Sequence, residues 1–117
     1  MAMKVVKEAI KSEKPSMGVP DTKAFLVDTL TSANPEKKQL RADFFRMEKS
    51  KPLSYTYTYD EMKIIVEGEI WITDETERTV KGIPGDVFYF EKGSEITFDS
   101  PDYGIGFFVG LRKVGEA

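Results

Sequence analysis

After residue 20, apolar and polar side chains mostly alternate along the chain, which is the pattern of strands with one buried and one exposed face. The clearest example runs from Leu53 to Tyr59, where serine and threonine alternate with leucine and tyrosine. The segment from Met62 to Val66 is apolar almost throughout, which indicates a strand covered on both faces. Further strands are predicted at 24–30, 40–47, 70–73, 87–90, 96–98 and 105–111.

Short turns separate these strands, and Pro84-Gly85 and Lys92-Gly93 provide two of them. About eight or nine short strands without a long helix predict an all-β sandwich or barrel. Residues 1–20 are rich in lysine and proline and predict an irregular N-terminal arm, with a short helical turn around Val5 to Ile10. We expect this arm to lie against the β-domain of residues 21–117 or against a second subunit.

Composition limits the class of protein. At 117 residues with 40% apolar residues, the chain fits one soluble domain. The net charge of −3 gives no reason to expect nucleic acid or an anionic membrane as a partner. The chain has no cysteine and no histidine, so disulfides, thiolate nucleophiles and the commonest metal ligand are excluded. The N-terminus lacks the apolar core of a secretory signal, and we expect a cytoplasmic protein.

Two segments have the spacing of the two cupin motifs. Tyr55 and Tyr57 stand where the first motif has two histidines, and Glu61 and Gly68 supply its glutamate and glycine. Ile96 stands where the second motif has its histidine, and Gly85 and Gly93 supply its glycines. The chain therefore resembles the cupin superfamily, with its usual metal ligands replaced.

A closer resemblance is to the cupin domains of the EutQ ethanolamine-utilisation family, whose members also lack the histidine ligands. It implies a small jelly-roll β-barrel, a homodimer, and a link to ethanolamine breakdown inside a protein-shelled compartment. EutQ has been described as an acetate kinase, but the sequence has no Gly-rich phosphate loop. The segments that carry the resemblance are Tyr59-Asp60-Glu61, Val66-Glu67-Gly68-Glu69, Pro84-Gly85-Asp86-Val87, Lys92-Gly93-Ser94 and Ser100-Pro101-Asp102-Tyr103.

The motif register predicts a pocket inside the barrel that binds a small molecule. Glu61 beside two phenols is a candidate acid or base, with Tyr57 as its partner, although the residues favour a structural carboxylate bonded to tyrosine hydroxyls or to Lys63. Arg46 can meet an anionic ligand or pair with a carboxylate. We predict no bound cofactor or tightly held metal, which leaves a weakly held Mg²⁺ open. The predicted pocket residues are Arg46, Tyr55, Tyr57, Tyr59, Glu61, Tyr89 and Ile96.

Three functions follow as hypotheses. The first is a metal-independent cupin that binds a small molecule and is accessory to the catabolism of ethanolamine or a related metabolite. The second is an enzyme of the EutQ type, which transfers a phosphoryl group or uses Glu61 and a tyrosine in acid–base chemistry. The third is a scaffolding protein of a metabolic compartment.

Overall fold

The computed structural model describes residues 2–33 and 38–113, apart from the side chains of Lys38 and Lys113. The predicted all-β fold is confirmed: each predicted strand overlaps an observed one, and only the short β6 was not predicted. The helical structure within the described residues is one short 3-10 turn at Ala9–Lys11. The strands are β1 (Ala24–Thr31), β2 (Lys38–Glu48), β3 (Leu53–Thr56), β4 (Glu61–Gly68), β5 (Ile70–Thr73), β6 (Thr79–Gly82), β7 (Val87–Phe90), β8 (Glu95–Asp99) and β9 (Tyr103–Lys113).

The strands form two antiparallel sheets that pack face to face as a small jelly roll. The five-stranded sheet has the order β1-β2-β9-β4-β7, and the four-stranded sheet has the order β3-β8-β5-β6. The two longest strands, β2 and β9, pair along their whole length at the centre of the larger sheet. The inner face of this central pair therefore forms much of the floor of the barrel.

The core lies between the sheets, where every second residue of a strand points inward. Met47, Ile65 and Ile70 are completely buried, and Phe45, Phe90, Phe98 and Phe108 join them in one cluster. Aromatic rings pack between the two sheets. Phe45 on β2 and Phe98 on β8, for example, have ring centroids 5.2 Å apart. The same inward positions of β2, β4 and β9 also carry charged residues, which is unusual for a core.

Two glycines set the chain path at turns. Gly68 ends β4 with a φ of +67°, and a β-carbon there would lie 2.2 Å from the carbonyl oxygen of Tyr103. Gly85 has a φ of +100° in the turn before β7, where the Ile83 amide donates to the Asp86 carboxylate at 3.0 Å. Both conformations favour glycine, in agreement with the turns predicted from the sequence.

The N-terminal arm packs against its own domain, which is the first of the two predicted alternatives. The Leu26 amide donates to the Pro15 carbonyl, and the Met17 amide donates to the Ala24 carbonyl, both at 2.9 Å. These bonds cover part of the edge strand β1. The helical turn lies later than predicted, at Ala9–Lys11, and the boundary at residue 20 stays a prediction. No helix in the described ranges is long and apolar enough to span a bilayer.

Candidate functional site

A cavity of about 320 Å³ lies between the two sheets. One side is formed by three tyrosines at the end of β3 and in the segment after it, and we call Tyr55, Tyr57 and Tyr59 the tyrosine wall. The inner face of the five-stranded sheet and the aromatic core close the other sides. The charged residues that line the cavity all come from this larger sheet: Asp28, Arg41, Glu61, Lys63 and Arg112.

The tyrosine wall is held by edge-to-face ring contacts. The rings of Tyr55 and Tyr57 are 4.7 Å apart, and those of Tyr57 and Tyr59 are 5.6 Å apart. The backbone of Tyr57 is fixed twice, because its amide donates to the Ser94 carbonyl at 2.9 Å and its carbonyl accepts from the Gly93 amide at 2.8 Å. The motif glycine before β8 therefore helps to position the tyrosine wall.

Glu61 lies at the start of β4 and is only 2% exposed. The Tyr57 hydroxyl donates to its Oε2 at 2.7 Å, and the Tyr59 hydroxyl donates to its Oε1 at 3.5 Å. Burial and the Glu61 carboxylate raise the pKa of both phenols far above the ordinary value, so both remain protonated donors. This arrangement matches the structural role considered for Glu61, and its catalytic role stays a prediction.

Lys63 is the counter-ion of Glu61. Its Nζ lies 3.4 Å from Glu61 Oε2, and the Lys63 side chain is 3% exposed. The ring centroids of Phe45, Phe98 and Phe108 lie 4.4, 4.4 and 4.9 Å from Nζ, so three aromatic faces surround the amine. Burial lowers the pKa of Lys63, and the Glu61 carboxylate opposes this shift.

A second buried ion pair joins β9 to β2. Arg112 donates to Asp43, and both side chains are almost completely buried. Burial, followed by the charge of Asp28, raises the pKa of Asp43, while Arg112 opposes this rise. The Arg112 guanidinium also lies 5.0 Å from the Tyr59 ring centroid, so it connects the floor of the cavity to the tyrosine wall.

A third ion pair lies where the cavity is more exposed. Arg41 Nη2 is 2.6 Å from Asp28 Oδ2, and the Asp28 side chain is 60% exposed. The Nε atoms of Arg41 and Arg112 are buried without a hydrogen-bond partner among the described residues. Because arginine carries several donors, each guanidinium here keeps an unused N–H.

Gly110 makes room for Tyr59. It lies opposite Glu61 on β4 and opposite Arg41 on β2. A β-carbon at this position would lie 2.8 Å from Cε2 of Tyr59. The glycine therefore lets the Tyr59 ring lie across β9 and reach Glu61.

The residues at the cupin ligand positions do not fit a resident divalent cation. The Tyr57 hydroxyl is a donor to Glu61, and the Lys63 ammonium already neutralises that carboxylate. Ile96 offers only hydrocarbon and is buried in the core. Within residues 2–33 and 38–113, no three His, Cys, Asp or Glu side chains come together as a cation site. The absence of a bound metal stays a prediction.

Three predicted pocket residues lie outside this cavity, which corrects the sequence interpretation. Arg46 points to the outer face of β2, where its Nε lies 3.0 Å from Glu48 Oε2 and its guanidinium lies 4.3 Å from the Tyr103 ring centroid. Tyr89 lies on the outer face of β7 and is 56% exposed. Ile96 is buried beside β3, across from Tyr55.

For Arg46, the error lies in which face of β2 points inward. Phe44 and Phe45 are neighbours and both apolar, so the alternation alone does not identify the buried face. Phe45 faces the cavity, so Phe44 and Arg46 face outward. Sequence reasoning missed Asp43 and Arg112 as interior residues. Lys63 was considered as a partner of Glu61, because it lies two residues away and therefore on the same face of β4.

Comparison with known proteins agrees with this geometry. The family described as ethanolamine utilisation protein EutQ matches residues 1–111. A curated relative from Clostridioides difficile (strain 630), named acetate kinase EutQ, is 29% identical over an alignment of 100 residues that covers 75% of this chain and 63% of the relative. The match therefore spans less than two thirds of that relative's length.

Two solved structures have a similar fold. The crystal structure of ethanolamine utilization protein Q from Salmonella typhimurium LT2 is 27% identical with a TM-score of 0.66, covering 77% of this chain and 70% of that one. An RmlC-like cupin from Shewanella frigidimarina NCIMB 400 is 16% identical with a TM-score of 0.69, covering 91% and 88%. The second likeness concerns the fold alone. The chain therefore belongs to the EutQ family of ethanolamine utilisation proteins and has the cupin fold.

Proposed function

We propose that this protein binds a small molecule in the cavity between its sheets and is accessory to the catabolism of ethanolamine or a related small metabolite. The observation that carries the proposal is a cavity of about 320 Å³ in which five charged side chains converge among aromatic walls. Pockets of this size and composition are typical of small-molecule sites. Family membership supports the metabolic setting, and a cytoplasmic location, inside or beside a metabolic compartment, is part of the proposal.

Recognition would combine the two sides of the cavity. The tyrosine wall offers ring faces and edges to the apolar part of a ligand. Arg41 and Arg112 line the cavity, and their guanidinium groups would offer positive charge to a carbonyl or an anionic oxygen. Glu61 accepts from the tyrosines, so a ligand amine would compete with Lys63 for its remaining lone pairs.

Ligand-observed NMR tests this proposal with three ring probes that differ in charge: benzyl alcohol, benzoate and benzylamine. We expect saturation transfer to at least one probe, and we expect its loss in Leu26→Trp, because Leu26 lines the cavity and a larger ring would fill it. Leu40→Trp is the matched control, since Leu40 is 53% exposed on the outer face of β2. No transfer to any probe, or equal transfer in both variants, would contradict binding in this cavity.

An enzymatic function is the second candidate. It is favoured by the position of Glu61, Tyr57 and Lys63 inside one cavity and by the name of the curated relative, acetate kinase EutQ. The assay is turnover of acetyl phosphate with ADP, or of acetate with ATP, in the presence of Mg²⁺. Glu61→Gln is expected to abolish turnover if the carboxylate transfers a proton. Undetectable turnover in the unmodified protein would remove this candidate.

A homodimer is the partner state that we propose. The outer face of β4 and β7 pairs Met62 with Tyr89 and Ile64 with Val87, and three of these four side chains are more than half exposed. A second copy would cover this apolar face and the free edge of β7. The same face would serve the third candidate, a scaffolding protein.

Sedimentation velocity tests the dimer. We expect Val87→Lys to shift the protein to the monomer, because a lysine would be buried in the apolar interface. Thr56→Lys, on the exposed side of the other sheet, should leave the dimer intact. A monomeric unmodified protein would contradict the proposal.

A further inference from the structure

Lys63 is a primary amine buried in the wall of the cavity. Besides forming a salt bridge, such an amine can act as a nucleophile. Its Nζ lies against Glu61 and is surrounded by the rings of Phe45, Phe98 and Phe108. Burial favours the neutral amine, as the lowered pKa of Lys63 indicates. A desolvated lysine in an apolar pocket is the usual nucleophile for a carbonyl compound.

The surroundings of Nζ suit the iminium that forms when an amine condenses with an aldehyde, as well as they suit the free lysine. An iminium carries the same single positive charge as the ammonium that it replaces. The Glu61 carboxylate at 3.4 Å and three ring faces at 4.4 to 4.9 Å would stabilise either cation. The charge balance of the buried pair is therefore kept when the covalent bond forms.

We propose that Lys63 captures a small aldehyde that enters the cavity, forming a reversible iminium at Nζ. The tyrosine wall would hold the apolar substituent of the aldehyde, and Glu61 would transfer the protons. This inference rests on the proposed function in one respect, since the cavity must admit a small molecule.

The step balances without a further reagent. Glu61 takes one proton from the Lys63 ammonium, and the neutral amine then adds to the carbonyl carbon, forming the N–C bond. A second proton moves from the nitrogen to the former carbonyl oxygen, which gives a carbinolamine. Glu61 returns its proton to the hydroxyl, the C–O bond breaks and water leaves, while the nitrogen lone pair closes the C=N bond. One ammonium and one aldehyde thus yield one iminium and one water.

Reductive trapping tests the proposal with benzaldehyde as the probe. The protein is incubated at neutral pH with a limiting amount of benzaldehyde and sodium cyanoborohydride, and peptide mapping by mass spectrometry follows each lysine over time. We expect Lys63 to gain a benzyl group before the surface lysines do. The matched internal control is Lys81, an exposed lysine whose Nζ also lies near a ring, 5.6 Å from the Trp71 centroid.

Lys63→Arg keeps the positive charge without the primary amine, and we expect loss of the fast-forming adduct, whereas Lys81→Arg should retain it. The order in which the lysines of the unmodified protein react can be measured without any variant. The test therefore stays valid even if Lys63→Arg folds poorly. A folded protein in which Lys63 stays unmodified while Lys81 reacts would overturn the inference. If any of the three ring probes binds in that case, the proposed function survives; if none of them binds, both fall.

Discussion

At the scale of single residues, the pair of Glu61 and Lys63 is the feature that sets this cavity apart from an ordinary apolar core. Both side chains are at most 3% exposed, and their charged atoms lie only 3.4 Å apart. Burying either charge alone is expensive, so each residue makes the other tolerable. The two tyrosine hydroxyls and three phenylalanine rings supply the remaining partners.

Removing one member of this pair should therefore cost more than removing both. We expect Lys63→Met to lower the free energy of unfolding by about 3–5 kcal/mol, because Glu61 would keep a buried, uncompensated charge. Adding Glu61→Gln to Lys63→Met should restore a large part of that loss. Urea denaturation of the two single variants and the double variant gives the coupling free energy. Additive losses would show that the two charges do not stabilise each other.

At the scale of strands, Gly110 of β9 leaves room for the Tyr59 ring to lie across the inner face of the larger sheet. We expect Gly110→Ala to destabilise the protein by about 1–3 kcal/mol, since the new methyl group would overlap the Tyr59 ring at 2.8 Å. In a Tyr59→Ala background the same change should cost much less. Chemical denaturation measures both differences, and an equal cost in the two backgrounds would contradict this account of Gly110.

The strands themselves were largely predictable, because period-two alternation needs only one buried face. The direction of that face was not always predictable. On β2 the neighbours Phe44 and Phe45 are both apolar, so alternation alone did not determine that Arg46 points outward. The pairing of Lys63 with Glu61 could be considered from their spacing on one strand, but the buried pair of Arg112 and Asp43 could not, because arginine usually indicates exposure and the two residues lie on different strands.

At the scale of the whole molecule, the buried tyrosines link stability to alkaline pH. Burial and the Glu61 carboxylate raise the pKa of Tyr57 and Tyr59, whereas the unfolded chain ionises near the ordinary value of 10.0. Above about pH 10 the folded state therefore binds more protons than the unfolded state. The free energy of unfolding should fall there with a slope that approaches roughly 1.4 kcal/mol per pH unit for each phenol as the unfolded tyrosine becomes fully ionised.

Lys63 contributes with the opposite sign, which makes the tyrosine effect separable. Burial lowers the pKa of Lys63 below 10.5, so the unfolded chain holds the extra proton and stability rises as pH approaches that value. A loss of stability above pH 10 cannot come from Lys63. We expect Tyr57→Phe to reduce the alkaline loss of stability between pH 10 and 11 by about 1 kcal/mol in urea denaturation, because the unfolded phenol is half ionised at pH 10. An unchanged slope would mean that Tyr57 ionises as readily in the folded protein as in the unfolded chain. That result would contradict a phenol held protonated by its buried bond to Glu61.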